Sequence, residues 1–137
     1  MNRISSTGAV TGVPLLILRA EGAALLAVAS AGFAATGLPW WLYAALFLAP
    51  DLSFAAYAAG PRAGAAAYNA LHSTVGPALL AGFGFAAESS APALGLAAVW
   101  AAHVGFDRVL GYGLKYPSGF GETHLGRIGR AGRGVTA

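Results

Sequence analysis

The chain of 137 residues has no cysteine. That excludes disulfides, thiolate zinc sites, iron–sulfur clusters and cysteine nucleophiles. Charge is scarce too. Only 9% of the residues are Asp, Glu, Lys or Arg, against about 25% in an average soluble domain. Eight basic and five acidic residues cannot coat the surface that a chain of this size leaves in water. The shortage rules out an ordinary water-soluble globule, a disordered chain and a multidomain protein. The net charge is +3. The basic residues are scattered and no reading module accompanies them, so no nucleic-acid partner is expected. Gly-x-Ser-x-Gly, His-Glu-x-x-His and paired Glu-x-x-His motifs are all missing, so no reaction can be read from a motif.

What is present is apolar and small. Hydrophobic types make up 57% of the chain, with 33 Ala and 20 Gly. Mean hydropathy is +0.64. Small residues at this density let helices approach closely within a bilayer. The pattern predicts an all-α protein, a four-transmembrane-helix up-down bundle with antiparallel neighbours. Residues 1–13 read as an N-terminal tail, 14–116 as the membrane domain and 117–137 as a cytoplasmic surface tail. The four spans fall at about 14–36, 39–59, 62–87 and 92–116. Each is roughly 31 to 39 Å long at 1.5 Å per residue, enough to cross a core of about 30 Å. Pro50 and Pro77 should kink spans two and three. The first span contains Arg19 and Glu21 and is too long for the core of a cleaved signal peptide.

Charge sets the orientation. With four spans, both termini and the Gly60–Arg62 loop share one side. That side receives Arg3, Arg62, Lys115, Arg127, Arg130 and Arg133, whereas the opposite loops carry only Glu88. The positive-inside rule then predicts a multi-pass membrane protein with both termini in the cytoplasm. Lys115 reads as a residue snorkelling to the headgroups.

The polar residues converge on the inner half of the predicted bundle. Counting from the cytoplasmic ends, Arg19 and Glu21 lie roughly 7–10 Å in, Asp51 and Asp107 about 12–14 Å, and Asn69 and His72 about 10–15 Å. His103 lies about 18–20 Å in, near the midplane. A lipid-facing charge at the bilayer centre costs about 2.5–3.5 kcal/mol, so these groups should face the interior, and such a cluster is a functional-site hypothesis by default. His103 and Asp107 share a helix face at i,i+4, as do Tyr68 and His72. His72, His103, Asp51, Asp107 and Glu21 form the candidate metal ligands. Asp51, Tyr68, Asn69, His72, His103, Asp107 and Arg108 line the candidate ligand pocket. Mixed nitrogen and oxygen ligands suit Zn, Fe or Mn, and haem between two histidines is an alternative. Bland roles fit as well: packing histidines, structural ion pairs such as Glu21–Arg108, and an Asp51 that repairs a proline kink.

The stretches LAPDLSFAAYAAGPRAGAAAYNALH (48–72) and WAAHVGFDRVLGYGLKYPSGFGETHLGRIGR (100–130) resemble a family of small bacterial membrane proteins, domain of unknown function 4260. The early Leu18-Arg19-Ala20-Glu21-Gly22 resembles that family's opening. The resemblance covers roughly residues 15–130. It implies a four-helix membrane protein of bacterial origin and supplies no reaction. The family carries the same polar letters at Asp51, Tyr68, Asn69, His72, His103, Asp107, Arg108, Lys115 and His124.

Three functions compete on these observations. The first is a cytoplasm-facing intramembrane pocket that holds a metal, cofactor or small ligand. The second is a small oligomeric transporter or proton-relay component, since Asp, His and Tyr chains suit proton transfer. Four short helices would need homo-oligomerisation for a path, and the outer half offers no polar lining. The third is a structural or accessory subunit whose polar cluster specifies the fold. The lipid bilayer is the partner common to all three.

Overall fold

The computed structural model describes residues 8–88 and 90–128. Arg3, Arg130 and Arg133, three of the basic residues that predict the orientation, lie outside the described residues, as do the ends of both tails. The described chain is mostly helical. It runs α1 (Gly12–Ala35), α2 (Trp40–Leu46), a 3₁₀-helix (Ala49–Ala59), α3 (Pro61–His72), α4 (Val75–Ala86) and α5 (Ala91–Leu110). A two-residue antiparallel ribbon follows, β1 (Glu122–Thr123) with β2 (Gly126–Arg127). Three stretches are long and apolar enough to cross a membrane: Gly12–Ala35, Trp40–Ala59 and Ala91–Leu110. The apolar α4 is shorter, at 12 residues.

α5 organises the rest. α1 crosses it antiparallel: Arg19 Nε donates to the Val109 carbonyl at 2.8 Å, and Gly22 meets Gly105 backbone to backbone. A Cβ on Gly105 would stand 2.6 Å from the Gly22 carbonyl oxygen and 2.7 Å from the Leu26 nitrogen. α4 also runs antiparallel to α5, with Gly76 under the Trp100 ring and Gly84 against Leu94. α2 returns along α1, where Tyr43 shares a 2.8 Å hydrogen bond with Ser30 and its ring packs on Phe33.

The predicted third span is two helices, α3 and α4, separated at Ser73-Thr74. Pro77 is the cause. It has no N–H to offer the Ser73 carbonyl, so the helix restarts and Pro77 falls in the first turn of α4, where that N–H would be unused. Two carbonyls freed by the break are taken by α5 side chains. Trp100 Nε1 donates to Leu71 O at 2.6 Å, and Arg108 Nη2 donates to His72 O at 2.9 Å.

The predicted second span changes winding at Pro50. Eleven residues of 3₁₀-helix is long, since runs beyond three or four residues are uncommon. Its three-residue turn places Asp51, Phe54 and Tyr57 in one row. α3 packs antiparallel along that row: Tyr57 over Gly64, Phe54 stacked on Tyr68, and Asp51 on His72. Over those six residues α-helical winding would rotate Asp51 away from Tyr57 by roughly 120°. The tighter winding therefore aims the carboxylate inward.

α5 ends at Leu110 rather than near Tyr116. Gly111 adopts a positive φ of 87°, the Tyr112 N–H bonds the Asp107 carbonyl and the Gly111 N–H bonds that of Arg108. This is the Schellman cap that glycine favours. Residues 111–128, which include the described part of the expected tail at 117–137, fold back over α3 and the 3₁₀-helix, and the N-terminal segment joins them. Val10 N donates to His124 O at 2.8 Å, and Tyr116 Oη donates to Gly8 O at 2.9 Å. Both ends of the described chain thus sit together.

Candidate metal centre

Four side chains from three elements meet beside the end of α3. Asp51 comes from the 3₁₀-helix, His72 from the last position of α3, and His103 and Asp107 from adjacent turns of α5. One ligand atom from each lies within 4.8 Å of all the others. His72 Nε2 stands 3.1 Å from Asp51 Oδ1, 3.1 Å from His103 Nε2 and 3.5 Å from Asp107 Oδ2. His103 Nε2 stands 3.4 Å from Asp51 Oδ1 and 3.7 Å from Asp107 Oδ2. His72, His103 and Asp107 are buried. The Asp51 side chain keeps 33% of its surface exposed.

The helix end fixes the histidine. His72 Nδ1 lies 2.9 Å from the Tyr68 carbonyl, which can only accept. The proton therefore sits on Nδ1, and in the neutral ring Nε2 turns its lone pair to the centre. The Tyr68 ring lies flat on His72, 3.7 Å between centroids and 10° from parallel. Its hydroxyl donates to Asp107 Oδ2 at 3.2 Å. Phe47 packs edge-on against His103. His103 Nδ1 is buried with no hydrogen-bond partner among the described residues. The centre thus gathers two carboxylate oxygens and a bare ring nitrogen, all acceptors. Such groups repel in a low-dielectric interior unless protons or a cation sit among them.

The remaining candidates lie elsewhere. Glu21 is exposed on α1 and is not one of the four converging side chains. Asn69 faces the returning C-terminal segment, giving its Nδ2 to Lys115 O at 2.8 Å and accepting the Lys115 N–H at 2.7 Å. Arg108 staples the α3–α4 break through His72 O and also donates to Tyr112 O.

Lys115 does not snorkel. It is only 3% exposed, its Nζ donates to Phe120 O at 2.8 Å, and it lies over the rings of Phe120 (3.8 Å) and Tyr68 (4.7 Å). Burial lowers its pKa, with the Asp107 carboxylate opposing. His124 pins the same segment: its Nδ1 accepts the Leu114 N–H at 2.8 Å. Burial, and next the charge of Arg108, hold its pKa below the usual histidine value. Spacing on single helices gives no sign of these roles, because they depend on a segment without hydrophobic periodicity folding back.

The described residues define a helical domain, compatible with a membrane, that carries a buried two-histidine, two-aspartate cluster. The chain belongs to the family described as Domain of unknown function (DUF4260), which matches residues 15–128. No curated protein and no solved structure matches it.

Proposed function

We propose that the protein crosses a bacterial cytoplasmic membrane four times, up-down-up-down with both termini inside, and holds one divalent metal ion between Asp51, His72, His103 and Asp107. The ligand-atom spacing carries this reading. Zinc bonds of about 2.0–2.2 Å in a tetrahedron put neighbouring ligand atoms about 3.3–3.6 Å apart. Five of the six separations run from 3.1 to 3.7 Å, and the sixth, between the two carboxylates, is within 4.8 Å. Haem fits less well. Two axial imidazole nitrogens stand about 4 Å apart, twice a metal–nitrogen bond, whereas these stand 3.1 Å apart. Two nitrogens and two oxygens without thiolate accept Zn, Fe or Mn. Antiparallel packing of α1 and α4 on α5 supports four passes, with α3 and α4 together making the third. Arg62 and Arg127 support the cytoplasmic placement of the side they occupy.

The test is metal content. Detergent-purified protein is loaded with zinc, passed through a desalting column and analysed by elemental mass spectrometry beside His72→Ala/His103→Ala. Near one zinc per wild-type chain, lost in a variant that keeps its helical circular dichroism, is the expected result. Wild type that retains no more zinc than the variant overturns the reading.

A further inference from the structure

The four ligands are not equally enclosed. His72, His103 and Asp107 are buried, and only Asp51 shows an edge to the outside. On the side of the returning segment the centre is sealed by Tyr68, by Lys115 under Phe120 and by the Asn69–Lys115 pair. Asp51 is flanked in the chain by Leu48 and Leu52, which are 62% and 78% exposed. Phe106, packed against Phe47, is also partly exposed. A partly exposed carboxylate flanked in the chain by exposed leucines faces acyl chains more readily than water. With α5 ending at Leu110, Asp107 and His103 lie about 5 and 10 Å of helix from its end, nearer that end than the other.

Charge names the chemistry. A divalent ion with two aspartates is neutral. When Asp51, the accessible ligand, leaves as its neutral acid with a proton taken from the aqueous interface, the ion keeps one carboxylate and two neutral imidazoles, a net single positive charge. A phosphodiester carries one negative charge and offers oxygen to a metal. We infer that the metal centre is entered sideways from the bilayer past Asp51, and that its ligand is the phosphate of a membrane phospholipid whose tails lie along Leu48 and Leu52. The inference rests on the metal reading above.

The experiment uses full-length protein loaded with manganese(II), whose unpaired electrons report ¹⁴N and ³¹P couplings by pulsed electron–nuclear double resonance. In phospholipid nanodiscs free of inorganic phosphate both couplings are expected. In phosphorus-free maltoside micelles the ³¹P coupling should vanish and the ¹⁴N coupling should stay. Leu52→Glu, which puts a charge on the lipid path but spares the ligands, should lose the ³¹P coupling in nanodiscs and keep ¹⁴N. Nitrogen coupling without phosphorus in nanodiscs overturns the inference and leaves the metal centre standing. A phosphorus coupling seen only after inorganic phosphate is added makes the ligand a free oxyanion and also overturns it. Loss of the nitrogen coupling throughout overturns the metal reading, and the inference with it.

Discussion

The Tyr68 ring covers one face of His72, with 3.7 Å between centroids, while its hydroxyl reaches past the imidazole to Asp107. One residue therefore orients two ligands from different helices. Partners of this kind typically tune metal affinity by 10- to 100-fold. Tyr68→Phe keeps the stack and removes only the hydrogen bond to Asp107. Zinc affinity, measured by competition with a chromophoric chelator, should fall about tenfold. Tyr68→Ala removes the stack as well and should lose more. Equal affinity for Tyr68→Phe and wild type would show that the hydroxyl does not tune the ligand.

Metal removal should be felt as stability. Without a cation, the acceptors around His72 Nε2 are left to repel or to share protons. An ion that binds only the folded state stabilises it by about 2.7 kcal/mol at a hundred times its dissociation constant. Saturating zinc should raise the melting temperature of wild type in detergent, and a chelator should reverse it. The His72→Ala/His103→Ala variant should show neither shift. A melting temperature of wild type that is indifferent to zinc contradicts this.

The α1–α5 crossing supports the centre from behind, because the same stretch of α5 carries His103, Gly105 and Asp107. A Cβ on Gly105 would meet backbone atoms of α1 at 2.6 and 2.7 Å, and backbone cannot step aside as a side chain can. Overpacking of this kind costs about 1–3 kcal/mol. Gly32, also in α1, faces open space, with nothing within 4 Å of where a Cβ would stand. Gly32→Ala should therefore be neutral or stabilising by up to about 1 kcal/mol. Thermal unfolding of the two variants in one detergent should separate them, with Gly105→Ala melting lower and binding zinc more weakly.

Residue counting reaches part of this centre and misses part of it, for physical reasons. Asp51, Tyr68, His72, His103 and Asp107 can be gathered from the sequence because each lies on an apolar helix at a depth that counting estimates. Counting starts His103's depth from Tyr116, where the apolar run ends, whereas Gly111 ends the helix at Leu110 and brings His103 about 10 Å from the helix end. Glu21 shares the right depth, but depth does not say which way a side chain points. The 3₁₀ winding leaves one trace, the three-residue spacing of Asp51, Phe54 and Tyr57, which an α-helix would also allow. Lys115 and Asn69 are hardest to read. Their roles come from contacts across 46 positions, made by a glycine-rich segment with no hydrophobic period.

That segment should respond to pH. His124 Nδ1 accepts the Leu114 N–H, which requires the nitrogen to be unprotonated. Burial and the Arg108 charge lower the folded-state pKa of His124 below its unfolded value near 6.5. A lowered histidine pKa means that protons bind the unfolded segment more readily than the folded one. The stabilisation is then fully present above about pH 6.5 and is lost as pH falls through the folded-state pKa. Val10 bonds the His124 carbonyl, so both chain ends should loosen together. Amide exchange, corrected for the intrinsic pH dependence, should show protection at Leu114 and Val10 falling between pH 7 and 5. His124→Asn, whose side-chain oxygen accepts at any of these pH values, should flatten that dependence. A wild-type profile as flat as that of the variant would mean that another group holds the segment.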